Sequence, residues 1–230
     1  MQYDLEKSDP DILTSEKEDE LLRGADWGRV VVVGDSLAEA TLVDPVQGYE
    51  RLSWPDRVVR ALRRQRTDVE LLNLGKRDLT SAQVADEQVA PAVDFGPDLS
   101  FVLCGGNDVL GSGFDPKRTK ETVGGILSAL AGAGSDVVLI TTFDTGPLPV
   151  PEPFRSRLIE RMPALHGVLK ELAAEHERVT LVDLSSHPRG RDQGIFGADG
   201  IHTNDIGQAV IASAVVSVLP EAGRSAHTRS

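Results

Sequence analysis

Several short polar segments in this 230-residue chain carry residue types that could perform catalysis with a serine as the nucleophile. Residues 34–37 read GDSL and follow a run of four valines, so Ser36 lies three positions after the last valine. Residues 199–202 read DGIH and contain an aspartate three positions before a histidine. A hydroxyl nucleophile needs an adjacent base, which an Asp-His pair could supply. Taken alone, Ser36 could equally be a helix N-cap, and His202 a loop histidine.

The elements that would position these residues alternate between strand and helix. Short apolar runs rich in β-branched residues predict strands, and longer stretches with helical spacing of apolar residues predict helices. Five strand–helix repeats indicate a parallel sheet covered on both faces. We therefore predict a flavodoxin-like three-layer α/β/α fold with strand order 2-1-3-4-5. The predicted strands are 29–33, 69–74, 99–104, 137–142 and 179–184, and the predicted helices begin near residues 53, 80, 116, 154 and 205.

The placement of the polar segments relative to these strands points to a shared site. Ligands of such sheets bind outside the carboxyl ends of the strands. GDSL follows the first predicted strand, Gly75 follows the second, and GGND at residues 105–108 follows the third. DGIH lies in the long segment after the fifth. A hydroxyl, two glycine turns, an asparagine and an Asp-His pair are thus expected at one edge.

The chain resembles the SGNH hydrolases, also called the GDSL esterase/lipase family. Four sequence blocks carry the resemblance: GDSL at 34–37, Gly75, GGND at 105–108 and DGIH at 199–202. The blocks span residues 30–207, nearly the whole predicted domain. A lone GDS is a weak signal, whereas four blocks in order and at suitable separation are strong.

The resemblance implies a role for each of these residues. Ser36 is the expected nucleophile, His202 the general base and acid, and Asp199 the residue that orients the imidazole. The spacing agrees, because a three-residue separation within one tight turn can bring the carboxylate to a ring nitrogen. The expected oxyanion hole consists of the backbone amides of Ser36 and Gly75 and the side-chain amide of Asn107.

Two rival interpretations are weaker. His187 shares the long segment with His202 and could be the base, but residue 184, three positions before it, is leucine rather than an acid. GDSLA also resembles the G-x-S-x-G nucleophile elbow of α/β-hydrolases. That nucleophile follows several strands, whereas a single strand precedes Ser36.

These residues predict a serine esterase that forms and hydrolyses an acyl-enzyme. The alternatives are an O-acyltransferase with the same intermediate and, less favoured, a ligand-binding module. The short segments between the blocks leave little room for a lid, so we expect an open, shallow cleft and short or polar acyl groups. The expected cleft walls are Leu37, Leu110, Phe114, Asp144 and Ile201.

The composition of the chain limits which classes of binding partner are expected. The formal net charge of -12 argues against a nucleic-acid binder. The sequence contains no dinucleotide-binding fingerprint, no Walker motif and no cluster of residues with the spacing of zinc ligands. We therefore expect a small-molecule ester as substrate, and neither a cofactor nor a metal. The sequence does not indicate an oligomeric state. The longest aliphatic run has four residues, and no basic-then-apolar leader opens the chain, so we predict no membrane span and a cytoplasmic location. Cys104, the single cysteine, excludes a disulfide scaffold.

The charge distribution suggests three regions. Residues 1–26 hold nine acids and three bases, and we predict an acidic arm there that is partly disordered. Ser15 and Glu18 could form a capping box that opens a short helix, and a mobile arm is an equally favoured interpretation. Residues 27–220 form one SGNH-type hydrolase domain. Residues 221–230 are polar and are predicted to be a disordered tail.

Overall fold

The sheet has five parallel strands in the order β2-β1-β3-β4-β5, which confirms the predicted topology. The computed structural model describes residues 3–144 and 150–227. All four strand pairs are parallel, so the carboxyl ends of the strands meet at one edge. The strands are β1 (Arg29–Gly34), β2 (Glu70–Asn73), β3 (Leu99–Leu103), β4 (Asp136–Ile140) and β5 (Val179–Val182).

Helices cover both faces of the sheet. Within β1, Val30 and Val32 pack in the core on one face of the sheet, while Val31 and Val33 pack in the core on the other face. Burial on both faces explains why this strand is a continuous run of valines. The helices are α1 (Asp4–Ser8), α2 (Ser15–Leu21), α3 (Ser36–Glu39), α4 (Trp54–Gln65), α5 (Ser81–Phe95), α6 (Gly106–Leu110), α7 (Pro116–Gly132), α8 (Phe154–Glu175) and α9 (Asp205–His227).

The helix starts follow from capping residues. Ser53 caps α4 by accepting a hydrogen bond from the amide of Asp56, as the sequence predicted. Thr80 and Gln83 form a capping box at the start of α5. α5 runs through Pro91 and continues to Phe95. Pro91 is exposed, so the carbonyl that loses its helical partner can bind water.

The N-terminal residues differ from the partly disordered arm predicted above. Residues 3–22 contain α1 and α2 and pack on α4 and α9. Glu6 pairs with the buried Arg57 at 2.7 Å, and Glu18 pairs with Arg64. Composition alone counts these acids as mutually repelling charges, whereas the fold supplies arginines from a distant part of the sequence.

The C-terminal helix is also longer than predicted. It continues past Leu219 to His227, so residues 221–227 are helical rather than a disordered tail, and residues 228–230 lie outside the described residues. Ala222 is buried, which extends the apolar contact of α9 beyond Pro220. The stretch Asp205–Ala222 is long and apolar enough to cross a membrane (mean hydropathy 1.3), but 67% of it is buried inside the domain, as in a core helix.

The long segment before α9 is compact despite its irregular sequence. Three short 3₁₀ turns, Leu184–Ser186, Pro188–Arg191 and Gln193–Ile195, follow β5. A β-bridge between Phe196 and Thr203 then closes the segment around residues 197–202. This bridge fixes the turn that carries Asp199 and His202 at the carboxyl edge of the sheet.

Candidate active site

The end of β1 is held in a conformation that requires glycine. Gly34 has φ +147°, and a Cβ there would lie 1.9 Å from the carbonyl oxygen of Leu103. The buried side chain of Gln88 fixes this residue from both sides: its Oε1 accepts from the Gly34 amide (2.7 Å) and its Nε2 donates to the Gly34 carbonyl (2.9 Å). The backbone two residues before Ser36 is therefore rigidly placed.

Asp35 turns the chain from β1 into α3 and thereby presents Ser36. Its Oδ1 accepts a hydrogen bond from the Leu37 amide at 3.0 Å, so Asp35 is the N-cap of this short helix. Ser36 is the first helical residue, and its amide is among those that lack an intrahelical acceptor. Burial raises the pKa of Asp35 to about 7, and the nearby Asp108 adds to the increase, although the amides of Leu37 and Gly106 oppose it.

This burial predicts a pH-dependent stability difference between the wild type and Asp35→Asn. The pKa of Asp35 rises from 3.8 to about 7 on folding. Its contribution to stability is thus fully present below pH ~4 and is lost as the pH rises through about 7, by up to ~1.4 kcal/mol per pH unit. Asparagine keeps the capping oxygen without the charge. Urea unfolding of both proteins between pH 4 and 8 should show the wild type losing stability relative to Asp35→Asn; parallel curves would contradict the prediction.

Asp199, His202 and Ser36 form a continuous chain of hydrogen bonds. His202 Nδ1 lies 2.6 Å from Asp199 Oδ2, and His202 Nε2 lies 2.9 Å from Ser36 Oγ. The other carboxylate oxygen of Asp199 accepts from the amides of Ile201 (2.9 Å) and His202 (3.0 Å). The sequence-predicted nucleophile, base and acid therefore lie together.

The electrostatics of the pair determine which ring nitrogen carries the proton. Partial burial raises the pKa of Asp199, but the hydrogen bonds from His202 and from the amides of Ile201 and His202 outweigh it, so the net pKa is lowered. An ionised carboxylate can only accept hydrogen bonds, so Nδ1 of a neutral His202 carries the hydrogen. Nε2 is then free to accept the hydroxyl proton of Ser36.

Two of the three expected oxyanion donors, Asn107 and Gly75, already donate to other groups. One hydrogen of the Asn107 amide is donated to the Leu79 carbonyl (3.0 Å), which orients the group, and Asn107 lines the cleft at Ser36. The Gly75 amide instead donates to the side-chain oxygen of Asn73 at 2.8 Å. Gly75 is packed against the end of α3, where a Cβ would lie 2.2 Å from the Glu39 nitrogen. The close approach at this glycine is therefore to α3.

A mainly apolar cleft opens beside Ser36. Of the predicted wall residues, Leu37, Leu110 and Ile201 line it. The described lining does not include the other two: Phe114 lies in a neighbouring polar depression, and Asp144 lies 3.5 Å from Arg191. Three further residues that the sequence analysis did not predict line the cleft. They are Thr142, which follows β4, and the apolar residues Leu158 and Met162 of α8.

A family model described as the GDSL-like lipase/acylhydrolase family matches residues 32–210. The chain belongs to this family. Membership supports an esterase or acylhydrolase, that is, a hydrolase acting on esters. No curated protein matches this sequence.

Solved structures share the fold of this GDSL-like chain. The lipase/acylhydrolase from Enterococcus faecalis is 22% identical (TM-score 0.67) and covers 86% of this chain and 96% of its own. A catalytic mutant of Axe2, an acetylxylan esterase from Geobacillus stearothermophilus, is 16% identical (TM-score 0.65), with coverage of 84% and 93%. TesA is 24% identical (TM-score 0.64), with coverage of 84% and 98%.

Two other histidines of this GDSL-like protein face different partners. His187, the rival base, accepts at Nδ1 from the Arg189 amide (3.2 Å) and packs edge-on against Phe143. His166 is buried on α8 with its Nε2 3.0 Å from the Thr142 hydroxyl. Burial lowers the pKa of both rings.

A buried hydrogen-bond network that the sequence analysis did not predict links the turn carrying Ser36 to the turn carrying His202. The indole of Trp54 donates to the Leu37 carbonyl (2.9 Å), and the Trp54 amide donates to Gln208 Oε1 (2.8 Å). Gln208 Nε2 donates in turn to Thr203 Oγ1 (3.1 Å), beside His202. Among these residues, the helix-start pattern at Trp54 was the only available sequence signal.

Proposed function

We propose that this protein is a serine esterase in which Ser36 attacks the carbonyl carbon of a carboxylic ester. The chain of contacts from Ser36 Oγ through His202 to Asp199, at 2.9 and 2.6 Å, is the observation that carries the proposal. Its position at the mouth of an apolar cleft gives the acyl group a place to bind.

In the acylation step, His202 Nε2 takes the hydroxyl proton as Ser36 Oγ bonds to the carbonyl carbon. The ionised Asp199 stabilises the imidazolium that results. The Ser36 amide and the free hydrogen of the Asn107 amide can donate to the oxyanion. His202 then returns the proton to the departing alkoxide, which leaves as the alcohol and completes the acyl-enzyme.

Deacylation repeats this chemistry with water as the nucleophile. The side chains of Asp199 and His202 are 46% and 19% exposed, so water can reach the base. This exposure favours hydrolysis over acyl transfer to an alcohol, because a transferase must keep water from its acyl-enzyme. A product that depends on an added alcohol acceptor would support the transferase instead.

The proposed reaction can be tested with p-nitrophenyl acetate and a fluorophosphonate. An acyl-enzyme mechanism predicts stoichiometric labelling of Ser36 by the fluorophosphonate, located by peptide mass, and loss of hydrolysis in proportion to labelling. Hydrolysis that persists in fully labelled protein would contradict the proposal.

The burial of the cleft residues supports a short acyl group. Thr142 and Met162 are 8% and 6% exposed and form the inner end, whereas Leu37, Leu110 and Leu158 are half-buried and form the mouth. We expect this buried inner end, with Met162 in its lining, to limit the length of the acyl chain.

Met162→Ala should therefore shift preference towards longer acyl chains. Because one methylene in an apolar pocket changes kcat/KM by roughly 10-fold or more, we expect the hexanoate-to-acetate ratio of kcat/KM to rise about tenfold. Leu169→Ala is the matched control, a large-to-small change in the core of the same helix away from the cleft. The same shift in both variants, or in neither, would argue against Met162 as the end of the acyl site.

A further inference from the structure

The N-terminal brace, residues 3–22, lies outside the part of the chain that the family model matches. It is nonetheless firmly attached to the domain. The Arg57 side chain, 4% exposed, holds the Glu6 carboxylate at 2.7 Å, and Leu22 is buried in the core. The Leu13 amide donates to Ser213 Oγ at 2.9 Å. These contacts give the brace a fixed position from which it can hold other segments.

The brace grips the α3–α4 loop, residues 41–52. The Glu6 amide donates to the Gly48 carbonyl at 3.1 Å, and Glu6 Oε2 accepts from the Glu50 amide at 2.7 Å. Asp9 Oδ2 accepts from the Tyr49 hydroxyl at 2.8 Å. The loop is thus held by backbone and side-chain bonds.

The α3–α4 loop in turn grips the catalytic turn, residues 197–204. Asp44 Oδ2 accepts from the Ala198 amide at 2.7 Å, immediately before Asp199. On the other side, the Val46 amide donates to Asp205 Oδ2 at 2.9 Å. These two contacts flank the Asp199–His202 pair.

A second contact runs directly from the brace to the segment that carries the pair. Arg189, in the 3₁₀ turn Pro188–Arg191, lies 3.4 Å from Asp9 and 3.3 Å from Asp11. Asp9 therefore touches both the α3–α4 loop and the segment leading to the catalytic turn. It is 8% exposed, so these interactions are largely shielded from water.

We propose that the N-terminal brace is a positioning element for the catalytic base. Its acidic side chains hold the α3–α4 loop and the Arg189 turn, and these hold the Asp199–His202 pair against Ser36. The inference rests on the proposed function, in which His202 is the base. The acidity of the first 26 residues then has a structural role, because these carboxylates bind specific arginine, tyrosine and amide donors.

The test compares two charge-matched double variants of the full chain. Asp9→Asn with Asp11→Asn removes the carboxylates that face Arg189 and Tyr49. Glu16→Gln with Glu20→Gln removes two exposed carboxylates of α2, of which Glu20 pairs with Lys17 within the brace. Three quantities are measured: hydrogen exchange of residues 196–204, the fluorophosphonate labelling rate, and KM and kcat for p-nitrophenyl acetate.

In the Asp9/Asp11 variant we expect exchange in residues 196–204 to accelerate at least about fivefold, with β3 unchanged. Labelling and kcat should fall about tenfold while KM stays within about twofold, because misplacing the base affects chemistry more than binding. The Glu16/Glu20 variant should match the wild type. If the brace only stabilised the fold, kcat per site that the fluorophosphonate can label would be the same in the Asp9/Asp11 variant and the wild type.

The proposal would be overturned if the folded Asp9/Asp11 variant had the same hydrogen-exchange and labelling rates as the wild type. It would also be overturned if labelling and kcat fell equally in both double variants. A wild-type protein that the fluorophosphonate does not label would instead contradict the proposed function. The exchange comparison would then still decide whether the brace holds the catalytic turn.

Discussion

Replacing Ser36 with alanine is expected to lower kcat for p-nitrophenyl acetate by about five to six orders of magnitude. The hydroxyl that bonds to His202 Nε2 at 2.9 Å is lost, and with it the covalent intermediate. The Asn107 amide and the cleft remain, so the residual rate should exceed that of water by about 10³-fold. Steady-state assays and single-turnover bursts measure this loss.

The matched control is Ser112→Ala, which removes an exposed serine hydroxyl elsewhere on the domain. It should leave kcat and the burst unchanged. A burst of p-nitrophenol that survives in Ser36→Ala at unchanged amplitude would place the nucleophile at another residue. Circular dichroism should show both variants folded, because Ser36 is only partly buried.

Replacing His202 with alanine is expected to reduce kcat by about four to six orders of magnitude, whereas His187→Ala should stay within about threefold of the wild type. His202 contacts both Ser36 and Asp199, whereas His187 contacts Arg189 and Phe143. The contrast separates the two histidines that lie in the same long segment.

Imidazole rescue gives this prediction a chemical readout. The His202 side chain is 19% exposed, so a small base can enter the space that alanine leaves. Added imidazole should restore part of the activity of His202→Ala but none of the activity of Ser36→Ala. Loss of activity in His187→Ala with a fully active His202→Ala would show that the base is assigned wrongly.

The fold, and the placement of the proposed catalytic groups next to one another, could be predicted because their signals are local. The valines of β1 and the caps at Ser53 and Thr80 act within a few residues, and parallel strands bring their carboxyl ends to one edge. The spacing of Asp199 and His202 is likewise contained in one turn. Such features need no knowledge of distant contacts.

The remaining features depend on pairings that sequence distance conceals. Glu6 is half of an ion pair whose other half, Arg57, lies 51 positions away, so composition made the N-terminal residues look disordered. Met162 reaches the cleft because α8 packs beside α6, which no local pattern shows. No sequence pattern indicated that the side-chain oxygen of Asn73 accepts a hydrogen bond from the Gly75 amide.

Asp199 and His202 lie in one turn, whereas Ser36 lies on a separate part of the chain. Asp199 and His202 lie within the same four residues, and the Asp199 carboxylate also accepts from two amides of that turn, so we expect the two side chains to move together. We expect a displacement of this segment to change the distance between Ser36 and His202 while the hydrogen bond between His202 and Asp199 is kept. In the proposed mechanism, we therefore expect activity to depend on the distance between Ser36 Oγ and His202 Nε2, which is 2.9 Å here.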